Sequence, residues 1–182
     1  MALQLARSLS RTAACARPAV LLTQRRALDV PLSRREKGAA QPPPEGFVHT
    51  AALYSVDGGV ATITLNQPDN KNALSVDLVE AVGDHLATAQ ADDAVRIVML
   101  TNTGNTFCAG ADLKAKPSKT PPRHSLVDLF EAIADSPKPV IGKIAGHCTG
   151  GGVGLAAAAD ISVVADDALI GFTEVPRHRA AT

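Results

Sequence analysis

The sequence predicts an α/β domain in which helices pack on a β-sheet, and three observations support this fold class. Short β-rich runs alternate with segments of helical periodicity between residues 49 and 164. Two of the predicted buried strands run directly into glycine-bearing loops. Hydrophobic residues make up 46% and charged residues 20% of the 182 residues, which is the composition of an ordinary globular chain with room for one domain.

The first predicted elements are a β-hairpin and a helix. Residues 49–56 and 60–65 are β-rich, and the Asp-Gly-Gly sequence at 57–59 between them is a hairpin signal. Residues 66–72 form a loop by composition. Ser75 is then a candidate N-cap for a helix whose apolar residues repeat at helical spacing, at Leu78, Val79, Val82, Leu86 and Ala89.

The remaining elements continue the alternation of strand and helix. A buried strand is predicted at residues 95–100 and a Gly/Asn/Thr-rich loop at 101–112. The next helix has apolar residues Leu126, Leu129, Phe130 and Ile133, and Ser136-Pro137 ends it. There follow a strand at 140–145, a glycine-rich loop at 146–152, an Ala-rich helix at 153–159 and a strand at 161–164.

The N-terminal segment differs from the rest of the chain in its charge. Residues 1–44 carry a formal charge of +6 and residues 45–182 carry −6, so the net charge is zero. Residues 1–28 include five arginines, several Ser and Thr, and no acid, which is typical of a mitochondrial transit peptide. We therefore assign residues 1–30 to a transit peptide and 31–46 to a charged, Pro-rich linker. The alternatives are that this segment is a disordered basic tail, or upstream sequence translated from a wrongly assigned start. If the segment is not a transit peptide, we expect a cytoplasmic protein.

Composition excludes several classes of protein. No run of about 18 uncharged apolar residues is present, so we expect no membrane-spanning helix. Four Phe, one Tyr and no Trp make a stacking platform for nucleic-acid bases improbable. Three cysteines (Cys15, Cys108, Cys148) are too few and too scattered for a disulfide framework or a zinc site. Phosphate-loop, dinucleotide-binding and serine-hydrolase motifs do not fit the glycine positions.

Neither histidines nor cysteines form a recognisable catalytic pattern. The histidines show no metal-ligand spacing, and His85 lies beside Asp84 on a predicted surface helix, where we expect it to be solvated. Cys108 and Cys148 lie in the glycine loops, where a thiol nucleophile is conceivable. No basic partner is placed by the sequence, so we expect small, buried, unreactive cysteines.

The two glycine loops are the most informative feature of the sequence. Residues 107–112 follow one buried strand, and Gly150-Gly151-Gly152 stand at the start of a helix. Backbone N–H groups at a helix N-terminus lack intrahelical partners, and glycine lets a ligand oxygen approach closely. Two such loops brought together could offer two N–H donors to one oxygen, which is an oxyanion hole. For either loop alone, the simpler interpretation is a tight turn.

Five segments in order resemble a known family. They are NQPDNKNALS (66–75), FCAGADLK (107–114), AGHCTGGG (145–152), DISVVA (160–165) and FTE (172–174). Their order and spacing over roughly residues 50–175 resemble the crotonase (enoyl-CoA hydratase/isomerase) superfamily. Members share a fold and an acyl-CoA site but differ in chemistry, so the resemblance does not select one reaction.

The resemblance implies a ββα spiral fold and a CoA thioester as substrate, with no separate cofactor and no metal. The thioester oxygen would be held by the backbone N–H groups of Ala111 and Gly151. Residues that would line the CoA groove are Lys71, Asn72, Ala73, Leu74, Ala109, Ala111, Asp112 and Lys114. Lys71 or Lys114 could meet the CoA phosphates, although each is also an ordinary surface charge.

The sequence departs from the hydratase pattern at one catalytic position. Hydratases of the superfamily typically use two glutamates around the substrate double bond, because water is deprotonated at one carbon while its neighbour is protonated. Here one position is Gly154 and the other is Glu174. One carboxylate suffices to move a proton between two carbons, so Glu174 favours an isomerase, with a hydratase as the alternative. Either would act in fatty-acid or branched-chain acyl-CoA metabolism.

A second departure is the polar stretch after the last motif. The core should span residues 47–175, and residues 176–182 do not resemble the family, whose full-length members continue with helices that close the site and build a trimer. We therefore expect a chain truncated before the C-terminal helical region. The alternative function is a weak or inactive fragment that associates with full-length crotonase-family proteins.

The transit-peptide assignment is tested with fluorescent fusions. Residues 1–30 alone should carry a reporter into mitochondria, because the segment combines arginines, hydroxyl residues and no acids. Deleting residues 1–30 from a fusion of the whole chain should leave it in the cytosol. Fluorescence microscopy measures both, and a reporter that stays diffuse with residues 1–30 attached would support the wrongly assigned start.

Overall fold

A computed structural model describes residues 22–23, 49–114 and 122–172. Most of the predicted transit peptide, the linker at 31–46, Glu174 and the tail at 176–182 lie outside the described residues. Within them, no helix is long and apolar enough to cross a lipid bilayer.

The described residues form nine strands and three α-helices. The strands are β1 (Leu22–Thr23), β2 (Ala52–Asp57), β3 (Val60–Leu65), β4 (Ile97–Asn102), β5 (Thr106–Cys108), β6 (Val140–Ile144), β7 (His147–Thr149), β8 (Ile161–Val164) and β9 (Ile170–Gly171). The helices are α1 (Val76–Ala91), α2 (Leu126–Ala134) and α3 (Gly151–Ala158), and a short 3₁₀ turn covers Pro68–Asn70.

The strands form two sheets. The larger sheet has the order β1-β8-β6-β4-β3-β2, with β3, β4, β6 and β8 parallel and both edge strands antiparallel to their neighbours. The smaller sheet is parallel, with the order β5-β7-β9. The chain repeatedly places one strand in the large sheet, one in the small sheet and then a helix: β4, β5 and α2, then β6, β7 and α3. This is the predicted ββα spiral, and the fold class is confirmed.

The predicted hairpin is present and shows why its turn has two glycines. Gly58 and Gly59 connect β2 to β3 with φ of 54° and 83°, a left-handed conformation that suits the twist of an antiparallel pair. Along β3, Ala61, Ile63 and Leu65 are fully buried and alternate with half-buried residues. One face of the hairpin therefore packs into the core.

Both predicted amphipathic helices are present, and α1 begins at its predicted N-cap. The Ser75 side chain caps α1 by accepting a hydrogen bond from Leu78 N, and the predicted apolar residues of α1 are all buried. Helix α2 begins with a complete capping box between Ser125 and Asp128. Its core face consists of Leu129 and Ile133, each 1% exposed, and α2 packs against both α1 and α3.

The two glycine loops are more regular than the sequence predicts. The predicted loop at 101–112 contains the last residues of β4 and all of β5, and the loop at 146–152 contains β7. The prediction of unbroken loops was therefore wrong. Strands of three residues are too short to show alternation, and β5 is buried along its whole length. Their existence depends on pairing with each other, which a local sequence pattern does not contain.

A buried carboxylate ties three segments together. Asp84 on α1 is 0% exposed, and its Oδ2 accepts hydrogen bonds from His49 Nε2 at 2.8 Å and Arg123 Nη2 at 2.7 Å. Its Oδ1 accepts one from His124 Nε2 at 3.1 Å. Burial acts to raise the pKa of Asp84, but the three hydrogen bonds outweigh it and hold the pKa below its ordinary value. The carboxylate thus joins the start of the hairpin, α1 and the entry to α2.

The prediction that His85 is a solvated surface residue was wrong. Its ring is half-buried, donates from Nε2 to the Ala52 carbonyl at 3.2 Å and stacks on Tyr54 with ring centroids 5.2 Å apart. Burial lowers the pKa of His85 and so favours the neutral ring. The helical pattern alone did not show that β2 covers this side of α1.

Replacing Asp84 should weaken the fold in a pH-dependent way. Asp84→Asn should lower the free energy of unfolding by about 3 kcal/mol near neutral pH, because a neutral amide replaces the buried carboxylate that accepts hydrogen bonds from His49, Arg123 and His124. The folded-state pKa lies below the unfolded value of about 3.9, so the carboxylate stabilises the fold above that pH. This stabilisation is lost as the pH falls through the folded-state pKa. Denaturant titrations at several pH values should show the difference between wild type and variant shrinking below about pH 4.

Glu80→Gln is the matched control on the same helix. Its carboxylate lies 3.6 Å from Arg123 Nη2 and its side chain is 23% exposed, against 0% for Asp84. A partly solvated pair of this kind contributes less than about 1 kcal/mol. Equal effects of the two substitutions would show that the buried cluster does not hold the three segments.

Candidate functional site

The two glycine loops meet at the N-terminus of α3. A Cβ placed on Gly110 would lie 3.0 Å from Gly151 N and 3.2 Å from the Thr149 carbonyl oxygen, and Gly110 has a φ of 93°. A Cβ placed on Gly151 would lie 3.7 Å from Ala111 N. The backbones therefore pass each other at a distance that only glycine allows at position 110.

Parallel pairing brings the loops together. Cys108 in β5 pairs with Cys148 in β7, so the carboxyl ends of both strands lie side by side. The chain leaves β5 into residues 109–112 and leaves β7 into α3. A Cβ on Gly152 would collide with the Cys108 carbonyl oxygen, so the first turn of α3 lies directly on the β5 backbone. The sheet register thus sets the position of both loops.

The contact leaves two backbone donors available. Gly151 is the first residue of α3, so its N–H has no intrahelical acceptor. Among the described residues, no acceptor is present for the N–H of Gly151 or of Ala111. Ala111 is exposed and Gly151 is half-buried. Two N–H groups at the positive end of a helix dipole can bind a carbonyl oxygen and stabilise negative charge on it.

The turn predicted to line the CoA groove lies against the same loop. Ala109 N donates to the Lys71 carbonyl at 3.1 Å, and Leu74 N donates to the Gly110 carbonyl at 2.8 Å. Leu74 and Ala111 form an isolated parallel bridge. The structure therefore brings together residues 71–74 and 109–112, which are distant in sequence, as the predicted groove requires.

Asn72 supports this turn from inside. Its side chain is 0% exposed, Oδ1 accepts from Gln67 N at 2.7 Å, and Nδ2 donates to the carbonyls of Thr106 at 2.7 Å and Thr103 at 3.1 Å. Lys71 and Asn72 both have positive φ, at 52° and 50°. The inward hydrogen bonds hold this strained turn, and the side chain of Asn72 does not face the groove. Ala73, 7% exposed, is also turned inward.

The charged residues of the predicted groove lie at its rim. Lys71 and Lys114 are exposed. Asp112 accepts from Asn70 Nδ2 at 3.2 Å and from Lys114 N at 2.9 Å. A shallow cleft of about 430 Å³ beside this loop is lined by Asn66, Gln67, Pro68, Asp69, Asn70, Ser75, Asp77 and Asp112. Three aspartates make this cleft unfavourable for phosphate groups.

Cys108 and Cys148 are buried and unreactive, as predicted. Cys108 and Cys148 are both 0% exposed. Burial raises the pKa of Cys108 to about 11 and that of Cys148 to about 12. The thiolate, which is the nucleophilic form, is therefore negligible near neutral pH. Among the residues that the structure describes, no three His, Cys, Asp or Glu side chains are grouped to hold a metal ion.

An aromatic ring from α2 lies beside position 154 of α3. Gly154 lies one turn after Gly151 in α3, and a Cβ placed on it would lie 3.0 Å from Phe130 Cε2 and 3.2 Å from Cζ. The aromatic ring of α2 thus covers the position that lacks a side chain. The sequence pattern identified Phe130 only as a member of the apolar face of a helix. Glu174, the other predicted acid–base position, lies outside the described residues.

Comparison with known proteins identifies a family. The family model described as enoyl-CoA hydratase/isomerase matches residues 55–176. A Thermus thermophilus protein named "Putative enoyl-CoA hydratase" is 38% identical over 126 residues, which cover 65% of this chain and 50% of that protein. A "Probable enoyl-CoA hydratase" of Mycobacterium tuberculosis is 40% identical over 113 residues, 62% of this chain and 46% of that protein.

Solved structures that are similar to this chain carry the same family names as its sequence relatives. An enoyl-CoA hydratase from Bacillus anthracis has a TM-score of 0.61 and 34% identity, covering 68% of this chain and 51% of that one. An enoyl-CoA hydratase/isomerase from Mycobacterium paratuberculosis has a TM-score of 0.60 and 31% identity, covering 70% and 50%. The chain thus spans about half the length of the proteins it matches.

Asn72→Ala should disorganise the loop contact. It removes three hydrogen bonds, one buried and two half-buried, each contributing about 1 kcal/mol, so the free energy of unfolding should fall by about 3 kcal/mol. Asn70→Ala is the matched control, because its one side-chain bond to Asp112 is half-buried and 3.2 Å long, and its loss should cost less than about 1 kcal/mol. Denaturant unfolding measures both. A neutral Asn72→Ala variant would contradict the supporting role of this side chain.

Proposed function

The chain belongs to the enoyl-CoA hydratase/isomerase family, and we propose that it binds an acyl-CoA thioester and stabilises an enolate formed from it. The observation that carries this proposal is the contact of the two glycine loops at the N-terminus of α3. There the N–H groups of Ala111 and Gly151 would donate to the thioester oxygen. Their effect is catalytic because the oxygen carries more negative charge in the enolate than in the thioester.

We propose Glu174 as the group that moves the proton. In an isomerase, a base removes a proton from the carbon next to the thioester, and the same group returns it two carbons further along as the double bond shifts. Gly154 offers no second carboxylate to activate water, which favours isomerisation over hydration. The names of the matched relatives favour hydration, and a hydratase would need its second polar group from elsewhere in the protein.

The CoA moiety would extend along the groove between residues 71–74 and 109–112. Backbone groups and the apolar side chains of Leu74 and Ala109 would contact it, while Lys71 and Lys114 would meet its phosphates at the rim. CoA enters as part of the substrate, and we propose no further cofactor. The reaction would belong to fatty-acid or branched-chain acyl-CoA metabolism, in the mitochondrial matrix if residues 1–30 act as a transit peptide.

A second candidate function is association with another crotonase-family protein. The chain spans about half the length of its relatives. Near the end of the described residues, Leu169, Ile170 and Phe172 are 65%, 42% and 60% exposed. Exposed apolar side chains this close together are typical of surfaces that bind another protein. The chain would then contribute its loops to a mixed oligomer instead of turning over substrate alone.

The oxyanion proposal is tested with a pair of variants at one position. Gly151→Pro removes the N–H donor and is compatible with the first position of a helix. Gly151→Ala keeps the donor and brings its Cβ to 3.1 Å from the flexible Leu74 side chain. Isomerisation of a 3-enoyl-CoA and hydration of crotonyl-CoA should fall about 10²- to 10³-fold in Gly151→Pro, with a smaller effect in Gly151→Ala.

Further measurements separate the outcomes. Glu174→Gln should lower the same rates about 10²- to 10⁴-fold while thioester binding, measured by calorimetry, changes little. Equal losses of binding and turnover in Gly151→Pro would indicate a collapsed loop. A wild-type chain that binds no CoA thioester would refute the enzyme proposal. A shift in size-exclusion volume on mixing with a full-length family member would then support the second candidate.

A further inference from the structure

The outer edge of β8 has the features of a strand that accepts another strand. On one side, β8 pairs with β6 along its whole length, from Ile161 to Val164. On the other side, the described backbone provides only the two residues of β1, Leu22 and Thr23. The sequence of β8 is Ile-Ser-Val-Val, which is rich in β-branched residues and contains no charged residue and no proline. Edge strands without such protection readily pair with a further extended segment.

The two residues of β1 belong to the N-terminal segment and pair antiparallel with β8. Leu22 lies opposite Ser162, and Thr23 lies opposite Ile161. The second half of β8 has no partner on this side among the described residues, and Val163 in that half is 44% exposed. A longer strand in the same register would cover this half as well.

The charges that flank β8 complement those that flank the segment containing β1. Residues 18–24 are uncharged and have arginines on both sides, whereas residues 161–165 are uncharged and have aspartates on both sides. The flanking residues are Arg17, Arg25 and Arg26 in the first case and Asp160, Asp166 and Asp167 in the second. In an antiparallel pair the ends of one strand meet the ends of the other, and opposite charges across the pair are favourable.

A small apolar cavity lies beside this edge. It has a volume of about 70 Å³, and its walls include Val153 and Ala157 of α3 and Ser162 and Val164 of β8. Ser162 is also the residue opposite Leu22 in the register of the pair. Strand addition combines main-chain hydrogen bonds with pockets for alternate side chains, because alternate residues of a strand face the same side. The edge of β8 and the cavity supply both parts of such a site.

We propose that the outer edge of β8 is a strand-docking site, which residues 18–24 of the same chain occupy. The docked segment covers an edge that otherwise pairs with another extended, uncharged peptide. Residues 18–24 lie within the predicted transit peptide, so removal of that peptide on import would open the edge and confine strand pairing to the processed protein. The inference is independent of the proposed function, because it requires no thioester.

Cysteine pairs in the full chain test the docking and its register. Thr23→Cys/Ile161→Cys places two thiols opposite each other, at the Cα spacing of about 4.5–5.5 Å that a disulfide spans. Thr23→Cys/Val163→Cys is the matched control, because it moves one thiol two residues along the same edge, to about 7 Å or more. Both variants also carry Cys15→Ser, since that cysteine belongs to the same segment, whereas the other two are buried.

Disulfide yields after mild oxidation are measured by digestion and mass spectrometry. The first pair should give at least about tenfold more intramolecular disulfide than the control pair. Equal yields would show that the segment holds no register on β8 and would overturn the proposal. Disulfides found only between isotopically labelled and unlabelled chains would also overturn it, because the occupant would then be a second copy.

A peptide titration tests whether the edge accepts another strand once its own segment is disrupted. Leu22→Pro/Thr23→Pro removes two backbone N–H donors from the segment in the full chain. A fluorescent peptide of residues 16–27 should bind this variant at least about tenfold more tightly than wild type, whose own segment competes at a high effective concentration. Ala13→Pro/Ala14→Pro is the matched control, because it lies outside the docked stretch, and it should bind the peptide as weakly as wild type. Fluorescence anisotropy measures each affinity.

A scrambled peptide of the same composition separates strand pairing from attraction between its arginines and the acidic residues beside β8. It should bind Leu22→Pro/Thr23→Pro at least about tenfold more weakly than the native peptide, because only the native order places an uncharged stretch between the arginines. Equal affinity of this variant for the two peptides would overturn the proposal. Equal affinity of the variant and wild type for the native peptide would overturn it as well.

Discussion

The close approach of two backbones between β5 and β7 is the constraint on which the rest of the structure depends. A Cβ placed on Gly110 would lie 3.0 Å from Gly151 N, and a Cβ placed on Gly152 would collide with the Cys108 carbonyl oxygen. Such contacts require residues without Cβ atoms and a fixed register between the two short strands. Because of them, Gly151 lies close to Ala111, with a Cβ placed on Gly151 only 3.7 Å from Ala111 N, although forty residues separate the two.

The surrounding structure supports this contact from both sides. On one side, the turn at residues 71–74 hydrogen-bonds to the 109–111 backbone, and buried Asn72 holds that turn in its left-handed conformation. On the other side, α2 packs against α3 through Phe130 and Gly154. Asp84 in turn joins the entry of α2 to α1 and to the start of the hairpin. The buried side chains of Asn72 and Asp84 thus help to position the elements that surround the two glycine loops.

Local patterns in the sequence predicted what depends on local physics. Alternation predicted the hairpin, helical spacing predicted the buried faces of α1 and α2, and Ser75 predicted the start of α1. The sequence did not predict β5 and β7, because runs of three residues are too short to show a period. It also did not show that Asp84 is buried, since its partners His49 and Arg123 are about 35 and 39 residues away. Long-range contacts of this kind leave no trace in a helical pattern.

At the candidate site too, sequence motifs predicted which residues matter but not their contacts or exposure. Glycine loops and family resemblance together pointed to Ala111 and Gly151, and the structure brings their loops into contact. What the motif could not show is how exposed the donors are. Ala111 is exposed among the described residues, and N–H groups stabilise an enolate strongly only where water is excluded. In the proposed mechanism, the catalytic effect of these donors would therefore depend on what covers Ala111, whether the substrate itself or another protein segment. Binding of a thioester oxygen, as proposed, would require less, since two N–H donors suffice to orient it.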